Sequence, residues 1–382
     1  MDILNYTDAH LDFRVRLRYF LEQEVEPFVD QWEADHIVPK SVWRRMGSLG
    51  FLCTHLPPEY GGMGGDFLYS VISAEEILKT NQAGLLSPLH SDIVVPYINA
   101  YGSEAQKRKY LPGCISGEII TAIAMTEPDA GSDLASIATT AVEDGGEVVI
   151  NGSKTFISNG INCDLAVLAA INPEVDNPHR AISLYLVEEG TPGFKKGQRL
   201  EKMGMYSQDT AELFFTNCRI PLGNRLGEKG AGFVMLMQKL QQERLVCAIM
   251  AQARTEWALQ WTMDFCSGSS GEKSLSKHQA KQFALAEMAT EVRISRSFLE
   301  KLVADHMEKK DVVMETSMAK YWTSDMGKRL IDRCMNIVGE FAATEKCPLV
   351  RACRDIPVMS IFAGTNEVMK GIIAKSLGLQ VN

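Results

Sequence analysis

Hydrophobic periodicity changes twice along this 382-residue chain, and those changes limit the architecture before any motif is read. In the first third, Leu17, Phe20, Leu21, Val25 and Phe28 recur at helical spacing, with Arg14, Arg16, Arg18, Glu22 and Glu26 opposite. Pro27 predicts a kink or an end to that helix. A helical segment over 41–49 closes at Gly50, and the breakers over 57–62 read as a loop. Helical patterning resumes over 69–79 and 93–100, and Gly102-Ser103-Glu104 reads as the cap of a helix over 105–110. Near Glu118 the character changes to short β-prone runs: 119–125, 138–142, 147–151, 165–171, 181–187 and 212–215. Turn residues separate them, among them Asp144-Gly145-Gly146, Asn151-Gly152-Ser153 and Pro192-Gly193. From Gly232 the helical period returns, in a long helix broken over 266–271 and in further helices over 279–304, 312–338 and 366–377. The plan is α, then β, then α: an α+β chain divided at 1–118, 119–224 and 225–382.

Composition narrows the function classes. With 46% apolar and 23% charged residues the chain is of ordinary globular type. A net charge of -9 argues against a broad nucleic-acid-binding surface. The longest apolar runs, such as Leu165 to Ile171, fall well short of the ~20 residues of a membrane-spanning helix. The first residues show no basic region followed by an apolar stretch, so no secretion signal is expected. Nine scattered cysteines without a CxxC pair read as reduced thiols in a cytoplasmic protein, with no metal site. Thirty glycines include neither GxGxxG nor GxxxxGKS/T, so a nucleotide would have to be held by another device.

Residues Met125-Thr126-Glu127-Pro128-Asp129-Ala130-Gly131-Ser132-Asp133 follow a strand with a dense turn of hydroxyls, carboxylates and glycine. Free backbone N–H groups and short donors of this kind suit a polar heterocycle or a phosphate. The same residues also suit a plain β-turn with Asx-type bonds.

This turn is followed by the run Asn151 to Gly160, and near the C-terminus by Arg354-Asp355 and the run Ile361 to Glu367. Together with Glu59-Tyr60-Gly61-Gly62 and Gln242-Glu243-Arg244-Leu245, the ordered set resembles the acyl-CoA dehydrogenase family of flavoproteins over essentially the whole chain. The flanking text, such as 89–94 and 319–322, is most similar to the long-chain and isovaleryl branch. The resemblance implies an N-terminal helical domain, a central β domain and a C-terminal four-helix bundle. It implies FAD, an acyl-CoA substrate, and electrons passed to an electron-transfer flavoprotein, within a homotetramer or homodimer in fatty acid metabolism. A carboxylate removes the α-proton while the β-hydride goes to the flavin; the enolate-like transition state then needs donors at the thioester carbonyl.

By the same resemblance Met125, Thr126 and Ser158 contact the flavin ring, with Phe156 beside it, and Thr365 and Glu367 approach the ADP half. Ser132 lies along the CoA channel, and Arg244, Ala363 and Gly364 border the substrate. Many relatives place the catalytic glutamate immediately before the C-terminal Gly-Thr, where this chain has Ala363. Glu243 matches the alternative base on the long helix. Read alone it would be a solvated or Arg-paired helix residue. The backbone N–H of Ala363 remains available to the thioester carbonyl. Asp92, read from sequence as a carboxylate at a helix start, competes as base or as a polar contact for an alicyclic or otherwise unusual acyl group.

One departure stands out. Relatives carry Arg-x-x-Phe-Gly after the long helix, reaching a neighbouring subunit's FAD. Here those positions fall near Gly268, Gly271 and Glu272. A second cross-subunit motif, Gln-x-x-Gly-Gly, stands here as Asn336 to Glu340. Loss of the arginine and gain of Glu340 weaken a diphosphate site. Lys273 and Lys277 are candidate replacement charges. The alternative is a flavin-poor structural subunit of a hetero-oligomer.

Overall fold

The computed structural model describes residues 3–268 and 278–379. Gly271, Glu272, Lys273 and Lys277 lie outside the described residues.

The N-terminal part contains α1 (Asp8–Glu24), α2 (Val29–Asp35), α3 (Lys40–Ser48), α4 (Phe67–Lys79), α5 (Val95–Tyr101) and α6 (Glu104–Ser116). Thr7 caps α1 and Ser103 caps α6, each in a reciprocal capping box. Helix α1 ends just before Pro27, which sits in a 3-10 turn, Glu26–Phe28. Phe28 leaves the buried stripe expected of it: it is exposed and stacks on Trp32. Helix α6 runs one and a half turns past the expected 105–110, through Pro112, to a left-handed Gly117. Ahead of α5 the chain takes a π turn, Leu89–Val94, where sequence periodicity had suggested only a helix from residue 93.

An eight-stranded sheet follows, in the order β6-β7-β3-β2-β4-β5-β8, with β1 added in parallel to β4. The strands are β1 (Thr121–Ala124), β2 (Thr140–Asp144), β3 (Glu147–Ile157), β4 (Leu165–Ile171), β5 (Ile182–Glu188), β6 (Phe194–Arg199), β7 (Ala211–Pro221) and β8 (Arg225–Leu226). The short helix α7 (Pro178–Ala181) precedes β5. Only the pair Thr140 and Ile171 joins β2 to β4, so the sheet is pinched at its middle. The expected turn at Asn151-Gly152-Ser153 is instead the centre of β3. A bulge accommodates Gly152 there; a Cβ would lie 2.5 Å from the Thr139 hydroxyl, so the glycine serves close strand approach. Strand β6 reads Phe-Lys-Lys-Gly-Gln-Arg, an edge strand whose charges hide the β period.

The C-terminal part is helical: α8 (Gly232–Ser267), α9 (Gln279–Met307), α10 (Val313–Val338), α11 (Pro348–Asp355) and α12 (Asn366–Ser376). Gly268 ends α8 in the left-handed conformation. Helix α8 packs on α4, α9 and α10, and one core cluster runs through both helical regions. A second, smaller core lies within the sheet.

A buried charge network ties these parts together. Arg254 on α8, 0% exposed, donates to Asp355 of α11 at 3.1 Å and to Asn81, just past α4, at 2.5 Å. The other Asp355 oxygen accepts the backbone N–H of Met205 between β6 and β7. Asp355→Ala would leave the guanidinium buried without its counter-charge. It is expected to cost about 3–5 kcal/mol, read as a lower denaturant midpoint.

Candidate active site

Two carboxylates are buried where the π turn and α5 meet α8. Glu243 lies inside α8, 3% exposed, and forms no ion pair among the described residues. The Tyr97 hydroxyl of α5 donates to its Oε1 at 2.6 Å. Burial pushes the Glu243 carboxyl up to about 7, against the lowering effect of that hydrogen bond and of Arg244 and Lys239 nearby. The side chain is neither solvated nor Arg-paired, because α8 is covered on this face by α4, α5 and the π turn.

Asp92 sits within the π turn and not at a helix start. It accepts from the Ser70 hydroxyl of α4 at 2.6 Å, not from backbone donors, and burial raises its carboxyl to about 7 as well. Its backbone carbonyl accepts from the Gln242 side chain at 2.6 Å, which fastens the π turn to α8 beside Glu243. π turns inside helices are frequent at functional sites.

The π turn is also bound to the sheet. His90, fully buried, accepts the Thr121 N–H at Nδ1 (3.1 Å) and donates from Nε2 to the Cys114 carbonyl (3.0 Å). Thr121 begins β1, which ends at Ala124, and Met125-Thr126 follow it directly. Lys154 of β3, 0% exposed, donates to the Met125 carbonyl at 3.0 Å and pairs with Glu127 at 2.7 Å. Thr155 N–H donates to the Thr126 carbonyl. The two central motifs are thereby locked edge to edge. Their ends present half-buried Met125, Thr126 and Ser158 together with Phe156, which is 68% exposed and held at φ +56°. An exposed aromatic in a left-handed conformation beside hydroxyl groups fits a planar heterocycle.

The C-terminal turn approaches α8 from the other side. Ala363 and Gly364 take φ of +52° and +93°. A Cβ on Gly364 would lie 3.7 Å from Arg244 Nη2 and 2.9 Å from Met369. Lys320 of α10, buried, donates to the Gly364 carbonyl at 2.6 Å and to Asn366 at 3.2 Å. Thr365 caps α12, accepting the Val368 N–H, and Glu367 is exposed in its first turn. An exposed carboxylate there suits sugar hydroxyls better than phosphates. Ser132 is exposed in the turn after β1. Glu340 is exposed in a 3-10 turn after α10 and pairs with no cation among the described residues. Tyr97, Lys154 and Lys320 escaped the sequence reading. Tyr97 carries no motif signal, whereas both lysines lie inside motif text, where an apolar surround was not visible.

The acyl-CoA dehydrogenase N-terminal, middle and C-terminal domain models match residues 7–118, 122–218 and 230–378. The chain belongs to the acyl-CoA dehydrogenase family. It is 39% identical to the mitochondrial long-chain specific acyl-CoA dehydrogenase of Rattus norvegicus over 374 residues, covering 97% of this chain and 87% of that one. The crystal structure of an acyl-CoA dehydrogenase from Geobacillus kaustophilus superposes with a TM-score of 0.95 at 49% identity, over 98% and 99% of the two chains. A chain from a structure of the electron transferring flavoprotein of Acidaminococcus fermentans has a TM-score of 0.93 at 32% identity, over 99% of each. Membership makes this chain an oxidoreductase acting on acyl-CoA, with FAD as cofactor. No described helix is long and apolar enough to cross a membrane, no described group of side chains forms a metal site, and all nine cysteines are free thiols.

Burial holds His90 down at about 4, below its ordinary 6.5. Between those values the unfolded chain binds a proton that the fold refuses, so stability is lost as pH falls from 6.5 towards 4. The loss amounts to about 3 kcal/mol from this residue. His90→Gln, which keeps one donor and one acceptor, should flatten that part of the stability–pH curve measured by denaturant titration.

Proposed function

We propose that the chain dehydrogenates an acyl-CoA thioester between its α and β carbons, with Glu243 as the base. The observation that carries this reading is the buried carboxylate on α8, which forms no ion pair among the described residues and has one oxygen occupied by Tyr97. Its elevated proton affinity suits a group that must hold a proton during turnover at neutral pH. The position that could hold a base before Gly364 is Ala363, which has no titratable side chain. The left-handed Ala363-Gly364 turn, held by Lys320, offers backbone N–H groups to the thioester carbonyl, where negative charge grows as the α-proton leaves. Arg244 beside that turn adds a positive charge at the same end.

Met125, Thr126, Phe156 and Ser158 would hold the flavin ring, Thr365 and Glu367 the ADP half, and Ser132 the CoA moiety. When bound, FAD supplies the hydride acceptor. We take the physiological acceptor to be an electron-transfer flavoprotein, as one structural relative's description suggests. The working assembly is a homotetramer or homodimer in the cytoplasm, serving fatty acid metabolism. Support for self-association is an apolar surface groove on α9, α10 and α12, lined by Ile294, Phe298, Met318, Trp322 and Ile373. We retain 1–118, 119–224 and 225–382 as the domain limits.

Glu243→Gln is expected to slow flavin reduction by at least about a thousandfold in stopped flow while acyl-CoA still binds. In the unsubstituted enzyme the reduction rate should rise with pH through about 7, because only the carboxylate accepts a proton. The second reading gives the proton to Asp92, favoured by its burial and raised proton affinity, and with it an alicyclic or otherwise unusual acyl group. Retained activity in Glu243→Gln with loss in Asp92→Asn would establish that alternative.

Glu340, exposed and without an ion pair among the described residues, and the glycine at 268 favour a further variant, a flavin-poor subunit of a hetero-oligomer. A visible spectrum of the purified chain separates it. Stoichiometric flavin that bleaches with acyl-CoA is expected; colourless protein that FAD cannot reconstitute would indicate the structural subunit.

A further inference from the structure

We propose that Tyr97 is the positioning residue of the catalytic base: its hydroxyl holds Glu243 Oε1 and so leaves Oε2 as the oxygen that takes the substrate proton. The inference rests on the reading of Glu243 as the base.

The geometry is specific. Tyr97 is 0% exposed, two residues into α5, and its hydroxyl lies 2.6 Å from Oε1. A phenol donates only one hydrogen bond, and among the described residues this one goes to Glu243. Among the described residues no hydrogen bond reaches Glu243 Oε2, which leaves that oxygen for a proton arriving from elsewhere. A glutamate in a helix has three torsions free, and a single short bond to a rigid ring removes most of that freedom.

The ring itself is well fixed. The π turn that feeds α5 is bound to α8 by the Gln242 bond to the Asp92 carbonyl and to α4 by the Ser70 bond to the Asp92 carboxyl. His90 anchors the same turn to β1. The extra residue of the π turn sets the phase of α5, and with it the direction of Tyr97.

The groups facing Glu243 are Tyr97 from α5 and Arg244, Lys239 and Cys247 from α8, with Asp92 on the adjoining turn. Burial raises the carboxyl, and the phenol, Arg244 and Lys239 lower it. The Tyr97 phenol is itself pushed well up by burial and by the carboxylate, so it stays protonated and stays a donor throughout the working range. Removing that donor strips a stabilising bond from the anion and leaves burial in place. The carboxyl then holds its proton to higher pH.

The test uses the FAD-loaded enzyme with Tyr97→Phe, which keeps the ring and its packing. An unchanged flavin spectrum and circular dichroism would show the fold intact. Two readouts follow. In stopped flow, the acid limb of flavin reduction should move up by about one pH unit, with a roughly tenfold loss below the limb and little change in acyl-CoA affinity. In infrared difference spectra without substrate, the protonated-carboxyl band that Glu243→Gln abolishes should titrate about one unit higher than in the unsubstituted protein. A fluorotyrosine at position 97, a stronger donor of nearly the same shape, should move both midpoints down. A merely structural role for the ring would move neither.

The outcomes separate the two claims. If Glu243→Gln abolishes reduction and Tyr97→Phe moves neither midpoint, the positioning role is overturned and the base assignment stands. If Glu243→Gln keeps its reduction rate, the base assignment fails, and the positioning role fails with it.

Discussion

The bond between Arg254 and Asp355 is the constraint on which the rest of the structure depends. A guanidinium with no exposed surface cannot be left without a counter-charge, so α8 and α11 must meet with their side chains in register. Because Asp355 also accepts from Met205 and Arg254 also donates to Asn81, this one ion pair fixes the β-rich region and the N-terminal helices against α8. Nearby, Glu33 of α2 accepts from the Ser207 backbone and hydroxyl, repeating the arrangement with neutral donors. Such networks contribute little net stability and a good deal of geometric definition, since few alternative packings satisfy every member.

Helix α8 is the element so fixed, and it carries the chemistry. One turn of it aims Glu243 at α5 while its neighbour Arg244 faces the Ala363-Gly364 turn. Two residues adjacent in sequence thus reach different walls, as the hundred-degree step of a helix allows. Glu243 and Asp92 are both buried, neither forms an ion pair among the described residues, and each has a hydroxyl on one oxygen. In each case desolvation outweighs that hydrogen bond, which keeps proton affinity near neutrality.

Elements whose local pattern agreed with their environment were legible. Strand β4 falls on the expected 165–171 because it is buried on both faces and reads as one apolar run. Long helices were legible through their stripes. Failures came where a neighbour overrode the pattern. Asn151-Gly152-Ser153 has turn chemistry, yet β2 and β7 on either side keep it in a strand, with the glycine used for close approach to Thr139. Edge strand β6 has no apolar alternation to read. The π turn was hidden because one inserted residue changes the phase of a helix without changing its composition.

The sequence by itself determined the order of helical and β regions, the family, and through Ala363 the absence of a titratable group before the Gly-Thr pair. Local periodicity and short motifs suffice for these, since each is written in residues close together in the chain. The state of Glu243 was decided only by the tertiary structure. Its surroundings come from residues 97, 239 and 244, and the distant Tyr97 is brought to it by the π turn. A carboxylate's proton affinity depends on what excludes water from it and what donates to it, and neither is a property of the segment that carries it.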